Sequence, residues 1–342
     1  MENKSSESRE ELIRLAASVL KNYGVTPEAI SVIQSGGIKT VWKIRTQNRA
    51  LCLKRLKQSL EKALFSVHAQ IYIKEKGGNV PAIIKANNNE AIVTYGDQLF
   101  VLYEWLEGTD MDMNNRSGLE KALEGLARFH VYSKGYEAPE GARVSSKLAK
   151  WPEQYASMRD KFVKWKEVAA KQPSAGYNEA YLKHADSLIN LSNKALTLLQ
   201  ASEYGFLTSG NSNVPVLNHQ DYGKGNAVLT GKGVFVIDLD GVTYDLPSRD
   251  LRKIIGKGAE NKGSWAAENI EHVLECYTRF NSMSQSEKKV LYIDLMFPHW
   301  FYGLVKNLFI NGKPLKAAEI ERISKLEISK IAVLDSLIKG VK

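Results

Sequence analysis

The apolar and polar positions of the first hundred residues form a pattern that predicts mainly strands. An amphipathic helix is expected first, over residues 7–23, because its apolar side chains share one face and Gly24 follows. Short apolar and β-branched runs separated by polar turns then predict strands. These runs are residues 29–35, 41–45, 50–55, a stretch opening at Val80, 90–95 and 99–105. Together they predict an antiparallel sheet of about five strands.

The pattern changes after residue 109, where apolar residues recur at helical spacing and everything up to a central loop is expected to be helical. One helix, residues 59–75, is also expected within the strand region. The later helices are predicted at residues 119–130, 151–170, 177–201, from about 247, 264–281, 284–309 and 315–339. A hairpin is predicted over residues 226–238. This order predicts an α+β fold, with an N-terminal lobe over residues 1–104 and a C-terminal lobe over residues 105–342.

The central loop carries the residues with the clearest chemistry. It contains the pattern H-x-D-x-x-x-x-N, formed by His219, Asp221 and Asn226, and an apolar strand ending on Asp238 follows. Transfer of a phosphoryl group from ATP to a hydroxyl needs an acid that accepts the hydroxyl proton and oxygen ligands for Mg²⁺. The predicted catalytic set is therefore Asp221, Asn226 and Asp238, with Asn226 and Asp238 as metal ligands. The alternative is a polar turn in which these side chains only stabilise the backbone.

A glycine-rich turn and a lysine within an apolar strand are candidate phosphate ligands. Gly36 and Gly37 lie between the first two strands, where backbone N–H groups could approach phosphate oxygens. An ordinary hairpin turn is the alternative. Lys54 lies in the third strand and is expected to bind nucleotide phosphates. The alternative is that Lys54 lies on the solvent face of that strand and has no more functional significance than Arg55 or Lys57.

The helix after Lys54 departs from the usual kinase pattern, in which a mid-helix Glu pairs with the strand lysine. Residues 59–75 offer His68 and Gln70 there. Lys54 is then held by Glu61 or the Asp238 carboxylate, or by a hydrogen bond to Gln70, or the helix is displaced. In each case Gln70→Glu is expected to be tolerated and to tighten ATP binding or raise turnover modestly.

The last predicted strand of the N-terminal lobe ends in a candidate nucleotide-binding linker. The residues are Glu104, Trp105 and Leu106. A strand that leads into a short linker can present backbone N–H and C=O groups to the edge of adenine. Further along the chain, Asp250 is expected to hold the catalytic loop by hydrogen bonds, or to serve only as an acid at a helix start. His130 is expected to be a core histidine.

Composition narrows the class of protein without deciding its function. The chain has 342 residues, 44% of them apolar, and a net charge of +9. The basic residues are dispersed and not interleaved with aromatic ones, so we expect no nucleic-acid partner. No apolar run is long enough to span a membrane, and the polar first twelve residues predict no secretory signal peptide. The two cysteines are expected to be free thiols in a reducing compartment.

These motifs resemble the aminoglycoside phosphotransferase/choline kinase superfamily, and within it the spore-coat protein S family of endospore-forming bacteria. The stretches that carry the resemblance are residues 219–226, 237–240, 245–251, 52–55, 103–108 and 150–153. The resemblance covers about residues 10–335. It implies a bilobal protein-kinase-like fold that binds ATP and Mg²⁺ and phosphorylates a small-molecule hydroxyl. It also implies synthesis in the mother-cell cytoplasm, a location in the spore coat and other spore-coat proteins as partners.

Two functions of different classes remain open at this stage. The first is an ATP-dependent phosphotransferase; the second is a spore-coat structural or binding protein that retains the fold and turns over slowly or not at all. The trio of Asp221, Asn226 and Asp238 favours the enzyme, because a scaffold has no physical need for it. Acid-rich loops suited to polycationic antibiotics are not evident in the sequence. An aminoglycoside acceptor is therefore not expected.

Overall fold

The computed structural model describes residues 7–36 and 39–341, and they contain both helices and strands. The helices are α1 Arg9–Leu20, α2 Leu60–Glu75, α3 Arg116–Ser133, α4 Trp151–Ala170, α5 Gly176–Gln200, α6 Tyr204–Leu207, α7 Ser248–Lys262, α8 Ala267–Thr278, α9 Gln285–Met296, α10 His299–Phe309 and α11 Ala317–Gly340. The strands are β1 Ala29–Gly36, β2 Lys39–Arg45, β3 Ala50–Leu56, β4 Ile83–Ile84, β5 Val93–Tyr95, β6 Gln98–Glu104, β7 Thr109–Asp110, β8 Val216–Asn218, β9 Ala227–Thr230, β10 Gly233–Val236 and β11 Thr243–Asp245.

The chain divides into two compact units. The first contains the residues up to Ser145 together with Asp221–Thr243, and the second contains Ser146–Gln220 together with the residues from Tyr244 onward. The chain thus contributes first to one unit and then to the other, and it returns to the first unit with the central segment, Asp221–Thr243. The predicted boundary between lobes at residues 104 and 105 stays a prediction, because these units group residues by contact.

The first unit is built on an antiparallel sheet in the order β1-β2-β3-β6-β4, with β5 also paired to β6. The predicted antiparallel sheet is confirmed. Side chains alternate across it, so each face has its own core. On one face α1 packs against β2, β3 and β6 through residues such as Leu20, Trp42 and Leu53. On the other face Val67 of α2 packs with Val101 and other apolar side chains.

A second, three-stranded sheet in this unit positions the central segment. Strands β9 and β10 form the predicted hairpin, and β9 also pairs with β7. The prediction that all residues from 109 to the central loop are helical is wrong here, because Thr109–Asp110 is a strand and residues 134–150 contain no helix. The backbone groups of β7 are paired by β9, a partner more than a hundred residues away that local spacing does not reveal.

The second unit is mainly helical, with a two-stranded sheet of β8 and β11. The single helix predicted for residues 284–309 is wrong, because the chain breaks between α9 and α10. Phe297 is extended, as expected for a residue before proline, and Pro298 follows. Glu327 then accepts hydrogen bonds from the backbone N–H groups of Trp300 and Phe301 at 2.8 and 3.1 Å. This acid stabilises the new helix start.

Three smaller expectations can be compared with the described residues. Cys52 and Cys276 are free thiols, as predicted. His130 is fully buried, as expected of a core histidine. No helix among the described residues has the length and apolar character needed to cross a membrane.

Candidate active site

The central loop holds Asp221 and Asn226 together. The side-chain Nδ2 of Asn226 donates to the backbone oxygen of Asp221 at 2.9 Å and more weakly to its carboxylate Oδ2 at 3.4 Å. The loop between them uses Gly225, whose φ of 88° is a conformation that glycine adopts without strain. Because the amide nitrogen of Asn226 is committed to Asp221, the amide oxygen Oδ1 is the atom that Asn226 can offer to a cation.

The loop is linked to Asp238 through the main chain. The Ile237 N–H donates to the Asn226 carbonyl at 3.0 Å, which brings the residue before Asp238 alongside Asn226. Asp238 itself has a left-handed backbone, with φ 61° and ψ 58°. This conformation is uncommon for a non-glycine residue and occurs preferentially at functional sites. The structure therefore brings the three predicted catalytic residues into one connected segment of the first unit.

A cluster of two carboxylates and two lysines surrounds Asp238, and we call it the Asp238 cluster. Lys54 Nζ lies 2.7 Å from Asp238 Oδ1 and 2.6 Å from Asp240 Oδ1. Lys39 Nζ lies 2.7 Å from Asp238 Oδ2. Each oxygen of Asp238 thus accepts from a different ammonium group. The Lys54 side chain is 8% exposed, whereas Asp238 and Lys39 are each 31% exposed.

The charges within the cluster stabilise one another. Burial favours the neutral form of Lys54, yet the carboxylates of Asp240 and Asp238 raise its pKa above the ordinary value. Burial likewise opposes ionisation of Asp238, but the Lys54 charge and the hydrogen bond from Lys39 hold its pKa below the ordinary value. Lys54 and Asp238 are therefore both charged at neutral pH, and Asp238 is available as an anionic ligand.

The position of Lys54 resolves the alternatives left by the sequence. It pairs with Val41 and Val101 in the sheet and lies on the face that α2 covers, so its side chain is not on the solvent face. Arg55 is also buried, and it binds Thr40 and Glu7. Since Arg55 has these partners and Lys54 has the carboxylates, the two residues are not equivalent.

The partners of Lys54 are Asp238 and Asp240. Of the alternatives that the sequence left open, pairing with the Asp238 carboxylate is therefore confirmed, and a hydrogen bond to Gln70 is not formed. The Gln70 Nε2 is buried and donates to the Pro81 carbonyl at 2.8 Å. Gln70 therefore anchors α2 to the chain before β4. Because Lys54 already has two carboxylate partners and the Gln70 amide already binds Pro81, we no longer expect Gln70→Glu to tighten ATP binding.

The linker residues after β6 are partly exposed, and Glu104 has structural partners. The Glu104 carboxylate accepts from the Ala82 N–H at 2.9 Å and pairs with Lys74 at 3.3 Å. Lys43 lies 4.3 Å from the ring centroid of Trp105. Nucleotide binding by Glu104, Trp105 and Leu106 stays a prediction.

The glycine-rich turn is only partly described. Gly36 ends β1 and pairs with Lys39, the first residue of β2. Gly37 lies outside the described residues. A role for either glycine in phosphate binding stays a prediction.

Asp250 contacts the start of the central loop, as predicted. Within the second unit, its two carboxylate oxygens accept from the backbone N–H groups of His219 at 2.7 Å and Gln220 at 2.8 Å. Gln220 has a left-handed φ of 66°. The two hydrogen bonds stabilise that strained backbone immediately before Asp221.

The sequence reasoning did not single out Lys39 or Asp240. Asp240 lies two residues after Asp238, and this spacing is the signal that could have indicated a second carboxylate partner for Lys54. Lys39 lies at the end of the glycine-rich turn, and its positive charge could have indicated a role in phosphate binding. Neither position could be paired with Asp238 or Lys54 from spacing alone, because Lys39 and Asp238 are 199 residues apart.

The residues of the segment suit a hard divalent cation. Asp238 supplies carboxylate oxygens and Asn226 an amide oxygen, and Mg²⁺ prefers such ligands. Asp238 is partly exposed, and the orientation of the Asn226 amide leaves its oxygen as the ligand atom. The donor set thus fits the magnesium ion that phosphoryl transfer from ATP needs.

Comparison with known proteins identifies the family. The family model described as "Spore coat putative kinase YutH" matches residues 17–330. The chain belongs to this spore-coat family. The predicted membership of the spore-coat kinase-like proteins is therefore confirmed. A relative of this chain is spore coat protein S of Bacillus subtilis (strain 168), 25% identical over 329 residues, which are 95% of this chain and 94% of that protein.

Solved structures confirm the kinase-like fold. An aminoglycoside phosphotransferase from Alicyclobacillus acidocaldarius superposes with a TM-score of 0.74 at 15% identity, covering 95% of each chain. The amicoumacin kinase hAmiN, solved with AMP-PNP, Ca²⁺ and Ami, gives a TM-score of 0.62 at 15% identity and covers 95% of this chain and 94% of that one. At such identities the likeness shows the fold alone, and these neighbours are small-molecule phosphotransferases.

Proposed function

We propose that this spore-coat family member is a phosphotransferase that moves the γ-phosphoryl group of ATP to a hydroxyl of a small molecule, with Mg²⁺ as cofactor. The observation that carries the proposal is the connected segment that holds Asp221, Asn226 and Asp238, together with the pairing of Asp238 with Lys54. A purely structural role does not require a buried lysine and a second, partly exposed lysine to converge on one partly exposed carboxylate.

The residues would divide the reaction between them. Asp221 orients the acceptor hydroxyl and accepts its proton as the hydroxyl oxygen bonds to the γ-phosphorus. The bond from that phosphorus to the bridging oxygen breaks, and ADP leaves with the electron pair. Lys54 binds phosphate oxygens, and Asn226 and Asp238 hold Mg²⁺. When bound, the metal screens the phosphate charge.

Nucleotide binding can be tested before the acceptor is known. Calorimetry with ATP and Mg²⁺ should detect binding at millimolar concentrations or below, since KM values of enzymes fall between about 1 µM and 1 mM. At a hundred times Kd, the ligand should stabilise the fold by about 2.7 kcal/mol, because only the native state binds it. Asp238→Asn should weaken this binding, and Asp97→Asn, a change in an exposed turn, is the matched control. Absence of binding by the wild type would refute the proposal.

The role of Asp221 needs an acceptor, which a screen of ADP formation with sugars, amino alcohols and amino acids should supply. Asp221→Asn is expected to lower turnover about 10²- to 10⁴-fold, because the amide cannot accept the proton. Nucleotide affinity should stay nearly unchanged, since Lys54 and Asp238 remain. A variant that phosphorylates the acceptor at the wild-type rate would show that the assignment of Asp221 is wrong.

A structural or binding protein of the spore coat is the second candidate. The observation that favours it is that Lys54 pairs with Asp238 and Asp240 in place of an acid on α2. Because Lys54 is ion-paired with Asp238, the proposed metal ligand, it is less available to bind a phosphate group. Tight nucleotide binding without turnover of any acceptor would support this candidate. A location in the spore coat and contacts with other coat proteins are proposed from the family membership and belong to both proposals.

A further inference from the structure

The two lysines of the Asp238 cluster differ in what they retain if Asp238 is taken by another cation. Lys54 bridges Asp238 and Asp240, so it keeps Asp240 as a partner at 2.6 Å. Lys39 pairs with Asp238 and, among the described residues, with no other carboxylate. A divalent cation on Asp238 would therefore leave Lys54 paired and Lys39 without a counter-charge.

The exposure and flexibility of the Lys39 side chain allow its ammonium group to change partners. Its side chain is 31% exposed, in contrast to 8% for Lys54, and a lysine reaches through a flexible stem. It begins β2, and its neighbour Thr40 is fully buried and bound to Arg55, so the backbone there is anchored. The charged end of Lys39 can thus move without moving the strand.

The charge balance indicates the class of ligand that Lys39 would meet. Lys39, Lys54, Asp238 and Asp240 carry two positive and two negative charges, so the cluster is neutral. A magnesium ion on Asp238 adds positive charge beside two ammonium groups, which favours displacement of a lysine from that carboxylate. A nucleotide triphosphate bound to that ion brings phosphate oxygens, and an ammonium group is a ready partner for a phosphate.

We infer that Lys39 is a nucleotide phosphate ligand that occupies the Asp238 carboxylate until Mg·ATP binds, and that Mg²⁺ takes its place on that carboxylate. This inference rests on the proposed function and adds a residue and an order of exchange to it. It predicts opposite effects of removing Lys39 on two ligands. The bare metal competes with Lys39 for Asp238, whereas the metal nucleotide uses it.

The test compares Lys39→Met with the wild type in two binding experiments. With Mn²⁺ alone, followed by electron paramagnetic resonance, the variant should bind several-fold more tightly because no lysine competes. With Mg·ATP, followed by calorimetry, it should bind about tenfold more weakly, because one charge-assisted contact is lost. Lys39→Arg should keep the Mg·ATP affinity within a few-fold. Lys62→Met, which removes an exposed lysine of α2, should alter neither.

The outcomes separate this inference from the proposed function. If the wild type binds Mg·ATP and Lys39→Met binds both ligands as the wild type does, the inference is wrong and the proposed function stands. A lower melting temperature with unchanged affinities would likewise assign Lys39 only a structural ion pair. If Lys39→Met binds both ligands more weakly, competition for Asp238 is refuted. Absence of Mg·ATP binding by the wild type would overturn both proposals.

Discussion

Two carboxylates in different units of this protein, Asp238 and Asp294, differ in whether their bound partners can be exchanged for other ions. Asp238 is about one third exposed, and each of its oxygens accepts from a lysine. Asp294, in the second unit, is fully buried, and one of its oxygens accepts from Tyr155 and Arg252 and lies 2.9 Å from His299 Nε2. Water and other ions can reach the first carboxylate but not the second.

The partners of the two acids differ as much as their exposure. Lysines are flexible, strongly hydrated point charges, whereas the guanidinium and aromatic groups around Asp294 are planar and fixed by packing. Tyr155 packs against Phe297 with ring centroids 4.3 Å apart. Although burial opposes it, the Arg252 charge holds the pKa of Asp294 below its ordinary value. The comparison indicates that Asp294 organises the helical core and that Asp238 is available to ligands.

The largest expected effect is a loss of stability when Asp294 is changed to Asn. This variant leaves the buried Arg252 charge without its counter-ion, which should cost about 3–5 kcal/mol of unfolding free energy. Asp238→Asn is the matched variant and should cost about 1 kcal/mol or less, because its partners reach solvent or Asp240. Urea unfolding followed by fluorescence measures both. Equal losses for the two variants would contradict the comparison.

A middle-sized effect is expected from Gln70→Glu. The new carboxylate would face the Pro81 carbonyl and remove the donor now bound to it, so we expect a loss of about 2 kcal/mol in unfolding free energy. It should leave Mg·ATP affinity unchanged, because Lys54 already has two carboxylate partners in the Asp238 cluster. Urea unfolding and calorimetry give the two values, with Gln34→Glu on the exposed part of β1 as the control. A clear gain in Mg·ATP affinity would show that the Asp238 cluster does not complete the pairing of Lys54.

The smallest effect distinguishes the clusters by pH. Burial lowers the pKa of His299 to about 3 from an ordinary value of 6.5. The unfolded chain therefore gains a proton below pH 6.5 that folded His299 does not, so stability falls as pH decreases through that range. Between pH 7.5 and 5.5 the loss from this group should be about 1.4 kcal/mol, equivalent to one pH unit below 6.5. The lowered pKa of Asp238 adds a loss only below about pH 4, where the unfolded carboxyl takes up protons.

His299→Gln separates this contribution from those of other titrating groups. Glutamine can still donate a hydrogen bond to Asp294 but does not titrate. The difference in unfolding free energy between wild type and variant should therefore shrink on going from pH 7.5 to 5.5. Asp245, whose pKa burial raises to about 6, titrates in both proteins and cancels in the difference. A difference that does not change with pH would refute the role of His299.

The sequence alone determined the fold class and the chemical character of the candidate site. Short apolar and β-branched runs separated by polar turns predicted the antiparallel sheet, because such runs are typical of strands joined by tight turns. The H-x-D-x-x-x-x-N pattern located Asp221 and Asn226 on one loop, because both the residue types and their spacing are local. The order of these motifs also supported the family, which the comparisons confirmed.

Only the tertiary structure determined which charged side chains form ion pairs with each other. Lys54 had several possible partners in the sequence, and only the folded chain brings it to Asp238 and Asp240, 184 and 186 residues away. The break at Pro298 and the pairing of β7 with β9 were missed in the same way, because their stabilising partners lie far along the chain. Local spacing describes which face a residue occupies. It carries no information on which distant side chain reaches that face, and in this protein such distant pairs determine how the Asp238 carboxylate is held.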